Sequence, residues 1–463
     1  MAAHAIGFAL LILMIFLVIG KWVRVLVPLF QNLFLPSSLV AGLLALLIGP
    51  EVFGKVLGFS ILDSEWLSVW ATLPGLMINI VFASLFIGKK IPNLKEIWYL
   101  AGPQVLSGYV ISFGQYAVGL GLAIFILAPV FGVNPLAGAL IEIGFVGGHG
   151  TAAGMRQTFE LLDFPEGGDL AIGLATVGVL AGVLIGISLI NWGMRTGKLA
   201  HGADKKERTA LERKGIAELE VREPAGYLST RAESIEPLSL HVGYIGVAIV
   251  IGFLLLQGLI QLEALTWGAW TDMYLMTYVP LFPLAMMGGI VVQLILSRVD
   301  PYATVDRQLI NRVQGLALDI LIVSALATLS LSVIGNHLPV FIILSMGGIV
   351  WTVFAFLVLI PRLMPDYWFE RGIGDFGQSM GVTATGLLLM RVADPDQMTP
   401  ALSSFGYKQL LFELLVGGGL FTAASVPLIA QLGPEVMFIV SLVLTIIPLI
   451  VGIIMKRMRK KSS

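Results

Sequence analysis

Gly147-Gly148-His149-Gly150-Thr151 in the first half of the chain, and Gly377-Gln378-Ser379-Met380-Gly381-Val382-Thr383-Ala384-Thr385 in the second, decide how this sequence is read. Both strings of glycine and small polar residues lie inside strongly apolar stretches, where a membrane protein would otherwise run an unbroken helix. In hydrocarbon, a backbone that leaves the helix is tolerated only where protein covers it or a watery cavity receives it. Two such breaks at matching places in two halves point to the central binding site of a secondary transporter.

Composition agrees. Of 463 residues, 57% are hydrophobic and 12% charged, about half the charge of a soluble domain. Several apolar stretches reach the roughly 20 residues needed to cross a bilayer as a helix. The formal net charge of −1 gives no reason to expect nucleic acid, and the absence of cysteine removes disulfides, thiolate metal sites and thiol nucleophiles together. The first apolar run lacks a basic leader and a small-residue cleavage site, so it reads as a retained helix.

In the first half, spans are expected near Ala5–Leu26, Ser37–Leu57, Val69–Ile87, Leu100–Ala128 and Leu170–Trp192. In the second half they fall near Leu240–Ile260, Val279–Ser297, Gly315–Ile334, Pro339–Leu363, Tyr407–Ala430 and Glu435–Met455. The interrupted segments Asn134–Phe159 and Phe369–Val392 occupy equivalent places in this order. Lys and Arg in short loops set orientation. Lys21, Arg24, Lys89, Lys90, Lys95, Arg298, Arg307, Arg312 and the basic C-terminus all fall on one side.

The expected fold is therefore an all-α polytopic membrane protein, with the N-terminus outside and the C-terminus in the cytoplasm. Two inverted-topology repeats of about five helices would each carry a re-entrant hairpin. Residues 1–194 form the first repeat (hairpin about 134–159) and 195–238 a charged cytoplasmic linker. The second repeat is 239–431 (hairpin about 369–392), and 432–463 add a C-terminal helix and basic tail. Trp66, Trp70, Trp98 and Tyr99 read as anchors at the membrane interface.

Hairpin tips offer unpaired N–H groups to anions and unwound carbonyls to cations. Candidate substrate contacts are Gly148, His149, Gly150, Thr151, Gln378, Ser379, Thr383, Thr385 and Arg391. Candidate sodium ligands are Thr151, Ser379, Asp375, Asp319 and Asn79. Ionisable groups at membrane depth, Glu142 among them, either bind a cation or pair inside the bundle. Asn79, Gln104 and Gln115 read as bonds between helices ahead of lining a path. No phosphate-binding loop, metalloprotease motif or nucleophile elbow appears, and His149 has no nucleophile or metal ligand beside it in sequence. Transport driven by an ion gradient is expected, with no enzymatic activity and no cofactor.

These motifs resemble the bacterial sodium/glutamate symporter family. The first string is similar to that family's first hairpin motif without a change, and Gly374, Gly377, Gly381, Thr383, Thr385 and Met390 fall on matching types of its second. The resemblance implies a Na⁺-coupled glutamate carrier of the inner (plasma) membrane, embedded in lipid as a homodimer. It also implies a part that moves, bearing both hairpins, in elevator-like alternating access. Asp375 stands where the family usually has His, and Ala384 where it has Pro. A carboxylate beside the site disfavours an anionic substrate unless a cation lies between them. Another carboxylate, or cation/proton antiport through Asp375, Asp319 or Glu142, therefore stays open.

Overall fold

The computed structural model describes residues 3–91, 93–200, 209–222, 224–231, 233–271, 273–395 and 397–462. The charged run Asp204-Lys205-Lys206-Glu207-Arg208, Glu223, Asp272 and the side chains of Arg459, Lys460 and Lys461 lie outside the described residues. All regular structure among the described residues is helical. The main helices are α1 (Ala3–Leu26), α2 (Ser37–Ile48), α3 (Ser64–Ala83), α4 (Leu94–Leu122), α5 (Leu140–Phe145), α6 (Gly148–Gly154) and α7 (Glu166–Arg195). They continue as α8 (Pro237–Leu265), α9 (Leu281–Val299), α10 (Arg307–Ala327), α11 (Leu338–Phe354), α12 (Trp368–Ala393), α13 (Ala401–Leu415), α14 (Leu420–Leu432) and α15 (Pro434–Ser462). Among the described residues, eleven helical stretches are long and apolar enough to cross a membrane.

Two fourth spans share a local feature. The helix widens to π geometry over Ala123–Leu127 just before Pro129, and over Ala355–Leu359 just before Pro361. Proline lacks the N–H that would continue the ladder, and a widened turn absorbs the missing bond.

Backbone contacts divide the chain into two compact units. The first comprises Met1–Ile91, Ala153–Gln157 and Arg208–Leu331, and so takes α1–α3 and α8–α10. Its core gathers Leu13, Phe16, Trp70, Leu73 and Val323. Trp70 is fully buried, donates its indole N–H to the Ala9 carbonyl at 2.8 Å and meets Phe16 edge-on. It is a core residue rather than the interface anchor expected from its place near a span end; Trp98 and Tyr99 are exposed. Close backbone approaches hold the rest. A Cβ on Gly20 would lie 2.7 Å from the Ser37 carbonyl, and one on Gly252 2.5 Å from Ala285 N. Small residues give such helices their van der Waals contact in lipid.

Linker residues are fastened to this unit. Lys21 donates to the carbonyls of Lys214 and Gly215, and Arg312 to that of Ala225. Arg307 donates to the Ser84 and Ile87 carbonyls, closing the C-terminal end of α3. Lys21 and Arg312 thus meet the 214–225 stretch, and Arg307 the end of α3, within this unit.

The second unit comprises Pro92–Ala152, Thr158–Glu207 and Ser332–Ser463. Here α4 runs along α15 and also packs on α11, α12 and α13. On α7, Gly178, Gly182 and Gly186 recur every fourth residue. A Cβ on the first would collide with the Met380 carbonyl, one on the second would sit 2.8 Å from Met380 Cβ, and one on the third would enter Leu389. This stripe seats α12.

Candidate functional site

Both glycine-rich strings break their helices, and both breaks lie in the second unit. Helix α5 ends at Phe145 and α6 resumes at Gly148, whose φ of +66° is left-handed. Helix α12 leaves helical geometry at Gly381 (φ −156°, ψ 46°) and Val382 (φ 60°, ψ 175°). A β-branched residue at positive φ is an outlier that persists only where its surroundings fix it. The two arms of α12 fold back on each other. A Cβ on Gly377 would fall 2.8 Å from Gly386 Cα, and one on Gly374 would strike the Met390 side chain. Thr385 Oγ1 donates to the Gly381 carbonyl freed by the break.

The breaks meet. A Cβ built on Gly148 would collide with Cγ1 of Val382. Glycine is required at 148 twice over, for its backbone angle and for the approach of the other tip.

A third break was not expected. The span anticipated as continuous over Tyr407–Ala430 is split by Val416–Gly419, with Gly417 at φ +72° and Gly418 at +100°. Glu142 bridges this break to α5. It is fully buried and accepts Tyr116 OH at 2.6 Å, Gly417 N–H at 2.9 Å and Thr422 OH at 3.0 Å. Three donors on one carboxylate make it a clamp at the start of α14, where a negative group suits the helix end. Glu142→Ala strands those donors, at about 1–3 kcal/mol for each one left unsatisfied. The expected outcome is a large fall in the melting temperature of detergent-purified protein, with a smaller fall for Glu142→Gln.

A second polar cluster runs behind the α12 break. Asp375 and Lys408 are both fully buried, with Lys408 Nζ 2.8 Å from Asp375 Oδ1. Lys408 also donates to Gln378 Oε1 at 2.7 Å. Its ammonium lies 4.2 Å from the Phe412 ring centroid and 5.2 Å from that of Phe405. Gly108 makes the space, since a Cβ there would sit 2.7 Å from Lys408 Cε. From Gln378 the bonds continue to Gln409 (2.9 Å) and Thr383 (3.3 Å), and Thr383 donates to Glu413 at 3.2 Å. Gln104 donates to Asp375 Oδ1 and to the Arg371 carbonyl, and Gln115 to the Ser379 carbonyl at 2.8 Å. Both glutamines thus bond between helices, as expected. Burial relaxes along the track, from Asp375 and Lys408 out to partly exposed Thr383 and Glu413.

The pair changes what Asp375 means. In sequence it stands as an uncompensated carboxylate beside the site, an argument against an anionic substrate. In the structure an ammonium neutralises it, and that argument lapses.

The other candidates divide. Gly148, His149, Gly150 and Thr151 lie at the first break, and Gln378, Ser379, Thr383 and Thr385 around the second. His149 Nε2 is 3.0 Å from Thr176 Oγ1. The hydroxyls of Thr151 and Ser379 are buried without a hydrogen-bond partner among the described residues. Arg391 is exposed in the last turn of α12. Asn79 and Asp319 belong to the first unit. There Asn79 Nδ2 donates to the Gly75 carbonyl one turn back in its own helix, not to another helix as expected, and Asp319 lies beside Ser38.

Sequence reasoning misses Lys408, Gln409 and Glu413, because a span that starts at Tyr407 places Lys408 at its edge. The available signal was a stripe on α13: Phe405, Lys408, Gln409, Phe412 and Glu413 recur at helical spacing on one face.

The family model for the sodium/glutamate symporter matches residues 4–393 of the chain. No curated protein matches it. The family match closes with α12, so Lys408, Gln409, Glu413 and Thr422 lie beyond it.

Proposed function

The chain belongs to the sodium/glutamate symporter family, and on that premise we propose that it carries glutamate with Na⁺ through a site at its two meeting helix breaks. It is a multi-pass membrane protein of a transporter family. The observation that carries the site is the contact of Gly148 with Val382, which brings both broken strings together inside one compact unit. The second arm of α12 starts at the break with free N–H groups, the positive end that suits a carboxylate. The carbonyl end of the first arm and the hydroxyls of Thr151 and Ser379 suit Na⁺. His149 and Thr383 complete the polar lining.

Several features support two inverted repeats with re-entrant hairpins. The π turn before Pro129 recurs before Pro361 at the same offset. Three helices of each half join the first unit, while the fourth, the break itself and the next helix join the second; of the first broken segment only Ala153–Gln157 falls in the first unit. A division that puts both breaks in one unit also supports elevator-like movement of that unit, with the first as scaffold in a homodimer. The N-terminus lies outside the inner membrane and the C-terminus in the cytoplasm. An anionic substrate fits because the Lys408 ammonium removes the charge conflict at Asp375, and family membership puts glutamate first among carboxylates. The same pairing disfavours cation/proton antiport through Asp375.

The test is uptake of labelled glutamate into proteoliposomes holding the purified chain. An imposed inward Na⁺ gradient is expected to drive accumulation; uptake indifferent to that gradient would sink the proposal. Thr151→Val and Ser379→Ala each remove one buried hydroxyl, and a lost bond to a charged ligand is worth about 1.5–3 kcal/mol. Each is therefore expected to raise the Na⁺ or glutamate concentration for half-maximal uptake by roughly ten- to a hundredfold. Unchanged kinetics in both would remove the site from these breaks.

A further inference from the structure

We infer that Lys408 is a tethered cation, standing at Asp375 in the place a coupling Na⁺ would otherwise take, so that this position adds no Na⁺ to the transport cycle. The inference rests on the Na⁺-coupled reading above and goes on to the ion count, which family membership does not fix.

The surroundings of Lys408 Nζ are those of a monovalent cation site. One carboxylate oxygen lies at 2.8 Å and one amide oxygen at 2.7 Å, both from the first arm of α12. The rings of Phe412 and Phe405 lie over the ammonium at 4.2 and 5.2 Å. The Asp375 and Lys408 side chains are completely shielded from solvent. A carboxylate buried so deeply needs a positive partner, because an isolated charge in an apolar interior is far too costly. The chain meets that need with a residue on α13 instead of an ion from solution. The other Asp375 oxygen is buried with no hydrogen-bond partner among the described residues. Asp375 would thus keep ligand capacity for a cation if the ammonium were withdrawn.

The site is also connected to the α12 break. Gln378, which accepts from Lys408, donates to Thr383 just past Val382. A fixed charge here holds the broken segment in one electrostatic state through the cycle. A Na⁺ at the same point would have to load and leave with each turnover.

The experiment compares the intact chain, Lys408→Met, and the neutral pair Asp375→Asn/Lys408→Met in proteoliposomes. The Na⁺ count per glutamate is read from the gradient at which net flux vanishes. Lys408→Met exposes Asp375 to the ions in solution and is expected to raise the count by one. A tenfold Na⁺ gradient would then sustain about tenfold more glutamate accumulation. The neutral pair is expected to return the count of the intact chain, whatever its rate. An active Lys408→Met with an unchanged count overturns the inference. If Lys408→Met folds but does not transport, its melting temperature in detergent is expected to rise with Na⁺ but not with K⁺, beyond any rise in the neutral pair; no such gain overturns it. If Lys408→Met does not fold, the neutral pair decides alone, since a count one lower than the intact chain's would show that Asp375 itself held a Na⁺. Failure of the intact chain to respond to Na⁺ would strike the proposed function, a different result from any of these.

Discussion

Asp375→Ala is expected to lower the stability of the folded protein by about 3–5 kcal/mol, because it leaves the Lys408 ammonium buried without its counter-charge. Lys408 has no water to turn to: its side chain is fully enclosed by Asp375, Gln378, Phe405 and Phe412. Gln378 still accepts one bond, and the two rings give a cation about 2 kcal/mol at most when desolvated. Neither offsets the lost carboxylate. The comparison that isolates the charge is the pair Asp375→Leu/Lys408→Met. Replacing both members of a buried ion pair by apolar groups is often close to neutral. Thermal unfolding in detergent should therefore rank Asp375→Ala well below the apolar pair. If the single variant melts no lower than the double, the ion pair is not what holds α12 to α13.

How much of this was legible in the sequence follows from the physics of each element. The apolar spans were legible because hydrocarbon allows little but helices, and their number among the described residues equals that read from hydropathy. The breaks at Gly148 and Gly381 were legible because glycine and hydroxyl residues stand out against leucine and valine. Their contact was not: Gly148 and Val382 lie far apart in the chain, and tertiary packing, that on the α7 glycines included, brings them together. Lys408 was the costlier omission. A lysine near the expected end of a span looks like an interface residue, and only the helix start at Ala401, well before Tyr407, places it in the interior. An apolar average hides the Gly417-Gly418-Gly419 break. Its marker was the glycine triplet itself, and its partner, Glu142, comes from the other half of the chain.

Gly148→Ala is expected to part the two breaks and to reduce Na⁺-driven uptake by roughly two orders of magnitude. Two costs add. At φ +66° an L-residue pays about 1–2 kcal/mol for the left-handed backbone. The new methyl would also overlap Cγ1 of Val382, and overpacking of this kind costs about 1–3 kcal/mol. The costs are separable because the second depends on its neighbour. Val382→Ala removes the colliding methyl, so Gly148→Ala/Val382→Ala is expected to recover the steric part of the loss and keep the backbone part. The coupling between the two positions in a double-mutant cycle then measures the contact directly. Val382 gives the cycle a further arm. Its own angles (φ 60°, ψ 175°) suit glycine far better than a β-branched residue, so Val382→Gly should relieve strain at the α12 break while opening space above Gly148. Additive losses in the Gly148→Ala/Val382→Ala pair, with no recovery, would mean the tips do not touch in the transporting protein.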